Sequence, residues 1–223
     1  MIIVIDGPAG SGKSSTAKAL ASRCSLTFLD SGALYRTIAL LWMQTGKPDD
    51  KQFINILSAA DITSSTKDHQ FRVILEGDDV SETIRKSDVA ECVSEIAKKP
   101  FVREHVNRYM HNLVEQGAFI ADGRDLGTAV FPNADLKFYM DASVEERARR
   151  RYEELKQMAS GDDTPTFEEV LENVTQRDHT DSHREMAPLR RADDAILIDT
   201  TRLTFDEQIQ IMADHIEKQK HQP

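Results

Sequence analysis

No apolar run in this sequence approaches the roughly 18 residues that a membrane span requires. The opening Ile2–Ile5 gives way at once to Asp6, so neither a spanning segment nor a signal peptide is expected. Cysteine is scarce: Cys24 and Cys92 form no Cys-x-x-Cys pair and imply no disulfide framework, which suits two reduced thiols in a cytoplasmic protein. A basic excess is missing as well. With a formal charge of -10, the chain lacks the cationic face that a duplex binder needs to displace counterions from phosphates, so no nucleic-acid partner is expected. Linkers, repeats and low-complexity tracts are also absent. The 223 residues, 39% of them hydrophobic, therefore read as one domain with a substantial core, and as a monomer.

What is present begins at the first residues, "IIVIDGPAGSGKSSTAKALA". The β-branched run Ile2–Ile5 is too short for an amphipathic helix and reads as a buried strand, whereas Ala17–Ala21 reads as helix. Between them stands Gly7-x-x-x-x-Gly12-Lys13-Ser14, the spacing of a phosphate-binding loop. Its glycines free backbone N–H groups to wrap a polyphosphate, the lysine reaches the β and γ groups, and the following hydroxyl holds Mg²⁺. Residues Gly7, Pro8, Ala9, Gly10, Ser11, Gly12, Lys13, Ser14 and Ser15 are thus the expected ATP site, with Ser14 the metal-side residue. The positive end of the next helix dipole adds to the attraction. Kinases, GTPases, motors and nucleotide-sensing regulators share such a loop, so other residues must decide among them.

Short apolar runs recur at Ile2–Asp6, Thr27–Asp30, Ala118–Asp122, Leu136–Asp141 and Ala195–Asp199, with helical patterns between. This alternation predicts the α/β class, a five-stranded parallel sheet flanked by helices. Capping-box pairs at Ser143/Glu146, Thr166/Glu169 and Thr204/Glu207 predict helices over 143–159, 166–183 and 204–220. Each of the five strands ends on an aspartate. Ligands of open parallel sheets bind at this edge, so one or two of these acids are expected to order Mg²⁺ or ligand. Asp141 and Asp199 are expected only to cap their turns. Residues 62–80 break the alternation, with "DITSS" and "FRVILEGDD" reading as a small antiparallel insert. The stretch 158–165, "MASGDDTP", reads equally as a surface loop or as part of a lid over about 147–165.

The acidic chain gathers arginines locally, at Arg147, Arg149, Arg150 and Arg151, and again at Arg36, Arg103, Arg124, Arg177 and Arg184. Such gathering suits small anions in a pocket. "FLDSGALYR" and "FIADGRDLGT" each send a strand into a turn and present an arginine, so two anion-binding turns lie beside the phosphate loop. A second phosphorylated ligand follows. His179 and His183 share one helical face, yet no third histidine or following glutamate accompanies them, and a zinc site is not expected. His69, His105 and His215 read as surface residues.

Taken in order, "GPAGSGKSS", "LDSGALYR", "IADGRDLGTAVFP" and "RDHTDSHREMAPL" resemble bacterial-type cytidylate kinases, and the similarity runs from about residue 2 to 215. The resemblance implies an adenylate-kinase-like fold and transfer of phosphate from Mg-ATP to CMP or dCMP. It also implies a monophosphate-binding region over about 37–110 that includes the insert. By position it gives Arg36, Arg124 and Arg184 to the acceptor's phosphate, with Ser31 beside them. Ser94, Arg103 and Asp125 fall to cytosine, and Arg177 and Asp181 to the ribose. Cytosine's N4 amino group suits a carboxylate acceptor such as Asp125, whereas uracil offers an oxygen there. Lys13, with Arg36, Arg124 and Arg184, and lid arginines among Arg147, Arg150 and Arg151, would be the catalytic set. The sequence departs from the family at Met110-His111, where a Gln-Arg pair is frequent, and at His183, where a small hydroxyl residue is common. The competing readings are a kinase for UMP, AMP or shikimate, and a regulatory nucleotide binder without turnover.

Overall fold

The parallel sheet forms where the β-branched runs fall. In the computed structural model, described for residues 1–67, 70–158 and 165–221, β1 (Ile2–Asp6) leads through the glycine loop into α1 (Lys13–Cys24), then β2 (Thr27–Asp30) and α2 (Ser31–Gln44). After α3 (Asp50–Ala59) come three short strands, β3 (Ile62–Lys67), β4 (Gln70–Leu75) and β5 (Asp78–Asp79). Helices α4 (Ser87–Ile96) and α5 (Pro100–Val114) lead to β6 (Phe119–Asp122). A π-helical turn at Leu126–Val130, β7 (Leu136–Asp141), α6 (Val144–Met158), α7 (Phe167–His183), β8 (Ile196–Asp199) and α8 (Phe205–Lys220) complete the chain.

Five strands pair in parallel in the order β2-β6-β1-β7-β8, as the alternation predicts. The third and fifth strands begin one residue later than read from the sequence. Register aligns Asp30 with Asp122, Ile5 with Asp122 and Asp6 with Tyr139, so Asp6, Asp30 and Asp122 fall within one residue of one another along one edge, with Asp141 and Asp199 two residues beyond Asp6. The central strands are buried on both faces, with Ile3, Val4, Ile5 and Ile120 wholly inaccessible, and α1 packs against α8 and β6. That leaves the carboxyl edge as the place where polar groups converge.

The expected insert is a three-stranded antiparallel sheet, β3-β4-β5. Alternate residues Phe71, Val73 and Leu75 point into the core, as period-2 patterning requires. Thr66 Oγ1 donates to the Phe28 carbonyl at 3.1 Å and Tyr109 Oη to Ser64 Oγ at 2.9 Å, tying the insert to the main sheet and to α5.

Complete capping boxes start α7 at Thr166 and α8 at Thr204. At α6 the box is only half made. Glu146 N donates to Ser143 Oγ at 3.2 Å, but the Glu146 carboxylate turns to Arg149 and Arg150, and Ser143 N donates to Thr201 Oγ1 instead. Charge-assisted bonds to two guanidiniums outweigh one bond to a backbone amide. Residues 159–164 of the expected lid, and His69, lie outside the described residues.

Candidate phosphate-transfer site

The glycine loop is shaped by contacts that only glycine permits. Gly7 has φ +150, and a Cβ there would stand 2.0 Å from the Met140 carbonyl oxygen; Gly10, at φ +75, would meet the Arg147 carbonyl oxygen at 2.9 Å. The loop is therefore clamped between β7 and α6. Lys13, at the first turn of α1, is buried, and its Nζ donates to the Pro8 carbonyl at 2.6 Å and to Ser11 Oγ at 3.2 Å. Burial, with the nearby Arg124 charge adding to it, holds this ammonium well below the ordinary lysine range. An incoming polyphosphate relieves both penalties at once, which makes the loop a receptor for anionic charge.

The strand-end acids divide by task. Asp141 accepts from Ala142 N at 2.8 Å and Asp199 from Thr201 N at 2.9 Å, so both cap their own turns, as read. Asp30 caps α2 through Ala33 N at 2.8 Å and also holds Arg36 Nη2 at 3.2 Å. The buried Asp6 accepts from Leu126 N at 2.9 Å and Gly127 N at 2.7 Å, fixing the π-helical turn beside the loop. Asp122 receives the hydroxyl of Ser14, while its Oδ1 is buried with no partner among the described residues. Burial pushes Asp6 and Asp122 each up to about 6, against the two amide bonds at Asp6 and helped by the Asp30 charge at Asp122.

Across the same edge lies the arginine set. Asp125 is buried and shared: Arg103 binds Oδ2, and Arg184 Nη2 binds Oδ1 at 2.7 Å. The Arg103 guanidinium also lies 5.8 Å from the Tyr35 ring centre, and burial pushes the Tyr35 hydroxyl up to about 12. Arg124 Nε pairs with Asp181 at 3.0 Å. Arg177, on α7 one turn before Asp181, is lowered by burial first and then by the Arg124 guanidinium, with Arg151 and Arg36 adding to the effect. Three guanidiniums from other elements thus press on Arg177, an arrangement suited to an anion. Ser31 Oγ donates to the Asp122 carbonyl at 2.6 Å, and Gly123 leaves room for this contact, since a Cβ would stand 3.1 Å from that hydroxyl. Ser94 is half-buried on α4 and makes no hydrogen bond to the group among the described residues.

The α6 arginines take separate positions. Arg147 is buried, with Nε on the Ala142 carbonyl at 2.9 Å, Nη1 on the Ala9 carbonyl at 3.0 Å and an ion pair to Asp178 at 2.6 Å. Arg150 bonds Glu146 and both oxygens of Thr200. Arg151 pairs with the exposed Glu154 at 2.7 Å. Arg150, Glu146, Thr204, Phe205 and Gln208 line an open cavity of about 380 Å³ that reaches Gly12 and Ser15 of the loop. Gln208 Nε2 donates to Thr16 Oγ1 at 2.8 Å, so α8 and α1 share this wall.

Met110 is a core residue, and His111 packs edge-on against Phe131 at 5.0 Å. His179 and His183 stack at 4.1 Å on the exposed face of α7, and no group of three or more metal-ligating side chains occurs among the described residues. Sequence reasoning gave no role to Asp178, Thr200 or Gln208, and among the strand-end acids it set aside Asp141 and Asp199 without choosing between Asp6, Asp30 and Asp122.

The site thus divides into a glycine loop with an adjoining cavity and a set of arginines paired with Asp30, Asp125 and Asp181. The sequence profile of the family described as cytidylate kinase matches residues 3–218. The chain is 42% identical over 209 residues to a cytidylate kinase of Carboxydothermus hydrogenoformans, covering 93% of each. It is 43% identical over 210 residues to a cytidylate kinase of Bacillus thuringiensis, covering 93% of this chain and 92% of the relative. A solved structure of an uncharacterized protein from Eubacterium ventriosum aligns over 97% of this chain and 98% of its own at TM-score 0.50 and 13% identity, a likeness of fold alone.

Proposed function

The chain belongs to the cytidylate kinase family, and from that premise we propose that it phosphorylates CMP and dCMP to CDP and dCDP with Mg-ATP as donor. The observation that carries this reading is the buried Asp125 carboxylate, fixed between Arg103 and Arg184 on the far side of the phosphate loop. A carboxylate has about four lone-pair sites, so two guanidinium bonds leave room to accept from the N4 amino group of cytosine. Uracil would turn an oxygen toward that charge.

Lys13 and the loop amides hold the donor's phosphates, which requires Nζ to leave the Pro8 carbonyl and Ser11. The cavity beside Arg150, Phe205 and Gln208 takes the donor's base and ribose. Arg36, Arg124 and Arg184 orient the acceptor phosphate, with Ser31 at its edge; Arg177 and Asp181 meet the ribose; Ser94, Arg103 and Asp125 read the base. Arg151, whose field already reaches Arg177, swings from Glu154 toward the transferring group. The acceptor phosphate is itself the nucleophile, so positioning and charge neutralisation suffice and no general base is needed.

The Ser14 hydroxyl facing a buried, singly satisfied Asp122 carboxylate fits a hard divalent cation that keeps most of its waters. Mg²⁺ bound there supplies neutralisation of the β and γ phosphate charge. The monophosphate-binding region spans about 37–110 and the lid about 147–165. No helix of the described residues is long and apolar enough to cross a membrane; a monomer working in the cytoplasm belongs to the same proposal.

Asp125→Asn tests the reading. The kcat/KM for CMP should fall at least about a hundredfold, while the KM for ATP stays within about threefold; a CMP efficiency unchanged by the substitution would contradict it.

A further inference from the structure

Arg147 sits where three parts of the chain meet. From the first turn of α6 it bonds the Ala142 carbonyl of the preceding turn, the Ala9 carbonyl inside the phosphate loop and the Asp178 carboxylate on α7. Its side chain is 7% exposed and that of Asp178 24%, so the ion pair is shielded from solvent mainly on the arginine side. Asp178 Oδ1 is buried with no partner among the described residues, and the carboxylate is held through Arg147. Helices α6 and α7 share a small apolar core of their own, built on Ala148, Val170 and Val174, distinct from the main one. Apolar packing fixes the two helices to each other, and polar contacts set the pair against the loop. Arg177 adjoins Asp178 in sequence, and Asp181, one turn on, pairs with Arg124.

We infer that the Asp178–Arg147 ion pair is a positioning device joining the donor-side loop to the acceptor-side helix, so that filling one site tightens the other. A polyphosphate that draws the loop amides toward itself turns the peptide carrying the Ala9 carbonyl. That carbonyl's bond to Arg147 passes the shift to Asp178 and thence to Arg177 and Asp181. Coupling of this kind is reciprocal: ATP strengthens CMP binding by the same factor as CMP strengthens ATP binding.

The test is isothermal titration of CMP into the protein without nucleotide and with a saturating non-hydrolysable ATP analogue and Mg²⁺. The ratio of the two Kd values should be at least about fivefold in the unmodified protein. Asp178→Asn should bring that ratio to within about twofold of unity while the Kd for CMP alone changes less than about threefold. Asp178→Glu, which restores the charge, should recover most of the ratio. Arg147→Lys gives a second test from the other partner, with the same expected loss of ratio. A ratio near unity in the unmodified protein, a full ratio in Asp178→Asn, or equal weakening of both Kd values would overturn the inference. It rests on α7 being the acceptor helix, and absence of CMP binding under both conditions would overturn that premise instead.

Discussion

Neutralising Asp122 should stabilise the protein while disabling it. Burial raises this carboxyl from 3.8 to about 6 in the fold, roughly two units at about 1.4 kcal/mol each, so keeping it charged costs the folded state about 3 kcal/mol at pH 8. Asp122→Asn removes that penalty but weakens the bond from the Ser14 hydroxyl, a loss of about 1 kcal/mol. The net gain is about 2 kcal/mol, or a rise in Tm of about 4–8 °C for a chain of this size. Because the folded pKa is the higher one, the group's favourable contribution is complete below about 4 and lost as pH rises through about 6. At pH 5 roughly half the penalty has already disappeared, so the gain should shrink below about 1 kcal/mol. Calorimetry without nucleotide or divalent cation, at pH 8 and pH 5, reads both values. In parallel, turnover with Mg-ATP should drop at least about a hundredfold, since the charge held at a cost is the one that faces Ser14. A variant less stable than the parent at pH 8, or stabilised more at pH 5 than at pH 8, would refute the reasoning.

Lys13→Ala and Arg124→Ala should each lower turnover by at least about a hundredfold with the near-ultraviolet circular dichroism unchanged, because each removes charge that faces a transferring phosphoryl group. Arg150→Ala should raise the KM for ATP about tenfold and leave that for CMP within about twofold, as steady-state kinetics with each substrate varied will show. Gly7→Ala places a Cβ 2.0 Å from the Met140 carbonyl, and should cost about 3 kcal/mol or more, seen as a fall in thermal midpoint without ligands.

Much of this architecture was legible from short-range patterns. Strands such as Ile2–Asp6 declare themselves by β-branched runs closed by a polar residue, and Thr166 and Thr204 mark helix starts because each box is made within four residues. Ser143 follows the same pattern, but its box is half made, since the competing partners Arg149, Arg150 and Thr201 are set by helix facing and tertiary contact. The arginine cluster on α6 illustrates the same limit. Spacing places Arg147, Arg150 and Arg151 on one helical side, yet it does not say that the first backs the phosphate loop, the second meets Thr200 and the third reaches Glu154. Thr200 and Gln208 carry no local motif, and Asp178, though inside "RDHTDSHREMAPL", is brought to Arg147 only by the packing of α7 on α6, so the assembled fold alone shows where these three side chains reach.

The most direct test of the central claim is ADP formation from Mg-ATP with CMP, dCMP, UMP, AMP and dTMP offered separately at equal concentration. Fast turnover confined to CMP and dCMP is the expected result. Comparable rates on UMP would remove Asp125 from cytosine recognition, and no turnover on any acceptor would contradict phosphoryl transfer altogether.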